Sequence, residues 1–185
     1  MTMMMMRCPV GELRLVASAT ALVGVYLPVQ VGPAPSEVHA GESPLLARVA
    51  SQLAEYFAGE RHSFDVPLAP RGTAFQQLVW DALGAIPYGA LRSYGDLARV
   101  LGRPSASRAI GAANGKNPIS IIVPCHRVIA ASGELAGYAG GLAAKRWLID
   151  HEARHEARHE ARHEARHETR PATRAELDGA SHDGC

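Results

Sequence analysis

From His151 onward the chain cannot build a core of its own. The tetrapeptide HEAR occurs four times in succession and HETR follows once, through Arg170. Ala, Glu and Arg favour helix, but a four-residue period sets like charges at every i,i+4 spacing and leaves no apolar face beyond alanine. Residues 153–185 therefore read as a solvated helical extension running into a low-complexity tail. Any packed structure must come from the residues before it, a length that suits one compact domain or two small ones.

Those residues divide at a linker marked by Pro67, Pro70 and Gly72. Residues 1–72 read as an α+β domain. Gly11 to Ser18 and Ala21 to Leu27 alternate apolar and polar positions and predict an antiparallel pair. Ser43-Pro44 is a cap followed by proline at the first helical position, with Leu46, Val49, Leu53 and Phe57 as the apolar face and Gly59 as the stop. Phe64 to Leu68 predicts a further strand, and the Met3 to Met6 run reads as a frayed terminus or an upstream start codon.

Residues 73–152 form a second, mostly helical unit. Thr73 and Gln76 make a capping box, and Phe75, Leu78, Val79, Ala82, Leu83 and Ile86 follow helical spacing. Ser93 with Asp96 caps a second helix carrying Tyr94, Leu97, Ala98 and Leu101, ended by Gly102. Pro104-Ser105 opens a third, with Ala106, Ala109, Ile110 and Ala113 inside. Two short helices joined by a glycine-containing turn suit a helix-turn-helix or any helical hairpin. Ile119 to Val123 is an apolar run that delivers Pro124-Cys125-His126-Arg127. A glycine-rich loop, Gly137 to Gly141, precedes a helix from Leu142 to Asp150 with Leu142, Trp147 and Leu148 as core residues. Trp80 also reads as core.

Net charge is +1 overall. It is concentrated in residues 73–150, with 8 basic and 4 acidic side chains, a modest excess compatible with nucleic acid. The three cysteines, Cys8, Cys125 and Cys185, include no C-x-x-C pair. That speaks against a zinc ribbon or a thioredoxin motif and for a reducing, cytoplasmic setting. Glu12 and Arg14 interrupt the apolar start, so a secretory signal is not expected, and no apolar stretch is long enough to span a membrane.

A cysteine thiol is only a few per cent ionised at neutral pH and needs a base to become a nucleophile. His126 is adjacent, and a carboxylate behind it would fix its tautomer. Glu152 and Asp150 are the candidates. By itself a Cys-His pair is weak evidence, since a buried cysteine is usually a small hydrophobe.

The stretch from Ile121 to Ile129 around Pro124-Cys125-His126-Arg127 resembles the active-site signature of O6-alkylguanine-DNA alkyltransferases. So do Ser105 to Gly111, Gly115-Lys116-Asn117-Pro118, Gly137 to Leu142, Lys145 to Leu148 and His151-Glu152. The resemblance is close from Thr73 to Glu152 and looser before it. It implies an α+β chain: a small ribonuclease H-like N-terminal domain followed by a winged-helix-like domain with a helix-turn-helix.

The resemblance also implies the reaction and its residues. Cys125 would accept the alkyl group irreversibly from O6-alkylguanine, and by extension O4-alkylthymine, in a flipped-out base. His126 would deprotonate it through a water, with Glu152 behind, and Asn117 would brace the turn. Tyr94, Arg108, Val128, Tyr138, Ala139 and Lys145 would hold DNA or the base: Arg108 in the gap left by the flipped nucleotide, Tyr94 at the phosphates or base edge, Tyr138 as a pocket wall, the Val128 carbonyl on the exocyclic amine. Ala139 departs from the Ser or Gly often found there, which keeps a backbone contact and loses a hydroxyl contact. The implied partner is double-stranded DNA docked by its minor groove, with Ala106, Ala109, Gly111, Ala112 and Ala113 keeping the recognition helix narrow. The free protein would be a monomer with no cofactor and no metal. Arg127 would hold the active-site turn, and the spaced histidines of the tail would carry no ligand. A non-catalytic lesion binder, a cysteine hydrolase and a transcription regulator are the competing classes.

Overall fold

The computed structural model describes residues 1–30, 38–41, 43–135 and 137–168. Strands β1 (Thr2–Cys8), β2 (Gly11–Ala17), β3 (Leu22–Tyr26) and β4 (His39–Ala40) form one sheet in the order β3-β2-β1-β4. The first three are antiparallel neighbours, and β4 joins β1 in parallel. The expected pair is thus β2 and β3. The methionine run, expected to fray, is instead an inner strand, with Met3 opposite Val16 and Met5 opposite Arg14. Unbranched methionine carries little strand signal of its own, and its conformation comes from pairing on both sides. The strand expected at Phe64 to Leu68 reduces to a single bridge between Leu68 and Leu22.

Helix α1 (Pro44–Ala58) packs on β1 and β2. The Ser43 side chain accepts from Leu46 N–H, and Gly59 closes the helix at φ 76°. Its buried face is Leu46, Val49, Gln52, Leu53 and Tyr56, so Tyr56 takes the inward position expected for Phe57, which is half-buried.

Helices α2 (Ala74–Gly84), α3 (Tyr94–Val100) and α4 (Ser107–Gly115) form a second cluster. Both expected capping boxes are present, Thr73 with Gln76 and Ser93 with Asp96. Trp80 is buried and its indole N–H donates to the Ala113 carbonyl at 2.9 Å, tying α2 to α4, whereas Leu78 is exposed. Helix α4 starts two residues later than Pro104-Ser105 suggested, with no side-chain cap at Ala106. Ile110 and Ala113 are buried as expected, but Ala109 lies outside with Arg108 and Ala112. At 100° per residue these three share a flank that the packing of Ile110 and Asn114 turns away from the core.

The two halves share one apolar core, from Leu13, Leu15 and Val25 through Val79 and Leu83 to Ile119, Val128 and Leu148. Val25 N–H donates to the Pro118 carbonyl at 2.9 Å and Ser120 N–H to the Val25 carbonyl at 3.0 Å, so the edge of β3 holds the turn that precedes Cys125. Two-residue strands β5 (Arg92–Ser93) and β6 (Val128–Ile129) pair in parallel behind that turn.

Helix α5 runs without a break from Leu142 to Glu168. Leu148 is buried, but Leu142, expected in the core, is half exposed. The first repeat unit is not simply solvated. His151 and Glu152 are buried, and the His155 ring lies against Gly59. Residues 169–185 and the side chains of His159, His163 and His167 lie outside the described residues.

A Cβ added at Gly59 would sit 1.9 Å from His155 Nδ1, at a φ that L-residues rarely adopt. Gly59→Ala is therefore expected to destabilise the protein by about 1–3 kcal/mol, read by denaturant unfolding. Gly102→Ala, at a similar φ with open space around it, should cost less.

Candidate active site

The segment from Ile119 to Val123, expected as an extended run, is a tight turn. Val123 N–H donates to the Ile119 carbonyl at 2.9 Å and Ile122 N–H to the Ser120 carbonyl at 2.9 Å. Ile121 is forced to φ 73°, a conformation that strains a β-branched residue. Its fully buried side chain and the tie to Val25 hold it there. Pro124 then leads into a single 3-10 turn, Cys125–Arg127. Successive side chains on such a turn diverge by about 120°, which sends the thiol, the imidazole and the guanidinium to different partners.

Asn117 meets the thiol, its Nδ2 donating to Cys125 Sγ at 3.0 Å and to the Val123 carbonyl at 2.8 Å. The orientation of this amide is set by Oδ1, which accepts Ile119 N–H at 3.0 Å, so only the donor end can face sulfur. Gln30, from the first half of the chain, braces the same turn. Its Nε2 donates to the Asn117 carbonyl at 3.0 Å, and its Oε1 accepts from Ser120 Oγ at 2.9 Å.

Of the two candidate carboxylates, Glu152 is the one behind His126; Asp150 is exposed. Glu152 Oε1 accepts from Tyr56 Oη at 2.7 Å, from Arg127 Nη2 at 3.0 Å and from His126 Nε2 at 2.9 Å. Oε2 accepts from Arg127 Nε at 2.8 Å and Gly89 N–H at 3.0 Å. A carboxylate has no proton to give, so the imidazole proton is on Nε2. The lone pair is then on Nδ1, which is buried and has no hydrogen-bond partner among the described residues.

Burial pushes the Cys125 thiol up, against the Asn117 hydrogen bond and the Lys145 charge, so the resting thiol is protonated. Burial pushes His126 down, against Glu152, so the resting imidazole is neutral. Burial would raise Glu152, but its bonds to His126 and the Arg127 charge outweigh that and hold it well below the usual carboxylate range. With the imidazole neutral, the permanent counter-charge is Arg127. A neutral thiol, a neutral imidazole with a free lone pair and an ionised carboxylate behind it can together generate a thiolate on demand.

The other expected residues fall around this centre. Tyr138 is half-buried; burial first, and then the nearby thiol, raise its phenol, and its hydroxyl has no hydrogen-bond partner among the described residues. Ala139 follows it and is half-buried. Tyr94, at the start of α3, is half-buried, and burial first, then Cys125, raise its phenol. Lys145 is buried, and its ammonium donates to the Val128 carbonyl at 2.6 Å; that carbonyl, expected to bind the base, has one lone pair engaged. Arg108 is exposed on α4. Among the described residues no cluster of His, Cys, Asp and Glu could hold a metal.

Sequence reasoning missed Tyr56, Gly89 and Gln30 as partners of the site. For Tyr56 the available signal was its position one residue before Phe57 on an otherwise correct helical face. Gly89 and Gln30 carry no local signal.

The family model for the 6-O-methylguanine DNA methyltransferase DNA binding domain matches residues 74–154, and that for the family's ribonuclease-like domain matches residues 1–70. The methylated-DNA–protein-cysteine methyltransferase of Mycobacterium tuberculosis is 50% identical over 145 residues, 78% of this chain and 87% of that protein. The protein of the same name from Methanosarcina acetivorans is 61% identical over 101 residues, 55% of this chain and 65% of that one. The crystal structure of Mycobacterium tuberculosis OGT in complex with DNA superposes with a TM-score of 0.79 at 45% identity, covering 84% of this chain and 94% of that one. With both halves of the chain matched and the thiol, imidazole and carboxylate assembled in one buried site, the chain belongs to the 6-O-methylguanine DNA methyltransferase family.

Proposed function

We propose that this protein repairs DNA directly, as a methylated-DNA–protein-cysteine methyltransferase that moves the alkyl group of O6-alkylguanine onto Sγ of Cys125. The observation that carries this reading is the buried Cys125 thiol held by Asn117 beside a neutral His126 backed by Glu152. Nδ1 of His126 takes the thiol proton through one water. The thiolate attacks the alkyl carbon, an S–C bond forms as the C–O6 bond breaks, and the electron pair leaves on the guanine, with the Tyr94 hydroxyl donating toward that charge. The product thioether has no good leaving group, so each protein molecule acts once. The same attack would serve O4-alkylthymine.

A lesion within a duplex is out of reach of a thiol only 3% exposed, so the nucleotide must leave the stack, at a cost of a few kcal/mol. Arg108 with Ala109 and Ala112 gives α4 a narrow exposed flank bearing one long cation, which suits close approach to a minor groove with Arg108 filling the vacated position. One protomer supplies every group named. A reducing, cytoplasmic setting suits a free thiol acceptor.

The test is incubation of the full chain with a duplex carrying one O6-methylguanine, followed by intact-mass and peptide mass spectrometry. The expected result is a gain of one methylene per protein, confined to the Cys125 peptide. An unmodified Cys125 with the lesion duplex still bound would overturn the transferase reading in favour of damage recognition alone. Repeated turnover on a small ester would point to a hydrolase.

A further inference from the structure

Among the described residues, the carboxylate behind the base of the proposed reaction accepts from the other half of the molecule through one phenol. Tyr56 lies in the last turn of α1 and is fully buried. Phe57, Phe64, Tyr88 and His151 surround its ring at centroid distances of 5.4, 5.7, 5.9 and 5.3 Å. Its own carbonyl contacts His151 Nε2 at 2.8 Å, so neither the ring nor the backbone is free to swing away. Its hydroxyl reaches Glu152 Oε1 at 2.7 Å, the same oxygen that faces His126 Nε2. Burial first, and the Glu152 charge second, keep this phenol protonated far above neutral pH, so toward the carboxylate it is always a donor.

We propose that Tyr56 is a positioning residue that sets the basicity of His126 through Glu152, so that the N-terminal domain tunes the proton acceptor of Cys125. The inference rests on the reading of His126 as that acceptor. Three donors share Oε1, and each takes part of its negative charge. Without the phenol, more of that charge faces His126, the imidazolium is better stabilised, and neutral His126 becomes scarcer at mildly acid pH. The other groups acting on His126 are Arg127 from its own turn and Lys145 from α5. Those coupled to Glu152 are His126, Arg127, Tyr88, Tyr138 and His151. Replacing Tyr56 by phenylalanine changes none of them.

The test measures single-turnover methyl transfer across the acid and neutral range for the full-length wild type, Tyr56→Phe and Tyr88→Phe. The His126 imidazole is titrated by nitrogen-15 NMR in the same proteins. For Tyr56→Phe the acid limb should move up by about 0.5–1 pH unit, the order of one charge-assisted hydrogen bond shared among three donors. That is a threefold to tenfold loss of rate on the limb, with the alkaline plateau kept and the His126 titration moving in step. Tyr88→Phe removes a buried hydroxyl that has no hydrogen-bond partner among the described residues and should leave the limb in place. 3-Fluorotyrosine inserted at position 56, a stronger donor of the same shape, should move the limb down, and it keeps the test open should the phenylalanine variant not fold. A rate lowered equally at every pH, with the His126 titration unmoved, would overturn the proposal and leave Tyr56 a packing residue. Failure of the wild type to accept methyl would sink the transferase reading instead, while the His126 titration would still report the coupling.

Discussion

Cys125→Ala is expected to abolish methyl acceptance entirely while leaving a folded protein that still binds a lesion-bearing duplex. Cys125 is 3% exposed and its sulfur accepts a hydrogen bond from Asn117. Its removal leaves a small void, costing on the order of 1 kcal/mol. Asn117 Nδ2 keeps the Val123 carbonyl as acceptor and Oδ1 keeps Ile119 N–H, so the turn stays braced. Cys8 cannot substitute. It lies at the end of β1, its thiol donates to the Gly11 carbonyl, and burial pushes it up, with no imidazole among its partners in the described residues. Labelled methyl transfer and a gel-shift titration read the two properties separately. Residual transfer by the alanine variant would mean that the acceptor is another residue.

Glu152→Gln is expected to be the most destabilising single-atom change at the site, costing about 3–5 kcal/mol. Arg127 is 5% exposed and would lose the counter-charge it grips through two nitrogens. A glutamine offers one acceptor oxygen where the carboxylate serves Tyr56, Gly89, His126 and Arg127, and its amide would turn N–H groups toward existing donors. The effect has a pH signature. Glu152 is held well below the usual carboxylate range in the folded protein, so its stabilisation is fully present above its unfolded value of about 4.3 and is lost as pH falls below that toward the folded value. The wild type should therefore lose stability on acidification below about pH 4.5 more steeply than the glutamine variant. Denaturant unfolding at neutral and acid pH checks both points, and parallel pH dependences would contradict the assignment of Arg127 and His126 as its partners.

Much of the scaffold was legible because its signals are local. The Thr73–Gln76 and Ser93–Asp96 boxes act over three residues, Gly59 terminates α1 by its own φ, and helical periodicity marked α2 and α3. Where the reading slipped, the deciding contact was distant. The methionine strand exists because β2 and β4 pair with it. Ala109 faces outward because of how α4 packs, Leu142 is exposed because α5 turns Leu148 and Lys145 inward, and His155 docks because α1 ends beneath it.

The site divides in the same way. Residue type and order along the chain offered Cys125, its neighbour His126 and two carboxylates only as candidates, and it was the resemblance to the alkyltransferases that singled out Cys125, His126 and Glu152. The chain order alone left open which carboxylate stands behind His126, which atom of the imidazole is free, and what fixes either. Those were decided by contacts spanning 96 residues from Tyr56 to Glu152 and 87 from Gln30 to Asn117. Caps and periodicity reach only a turn or two along the chain, so they can place a helix. Only folding brings the phenol of one domain within 2.7 Å of the carboxylate of the other, and there burial, rather than sequence neighbourhood, sets the proton on each group.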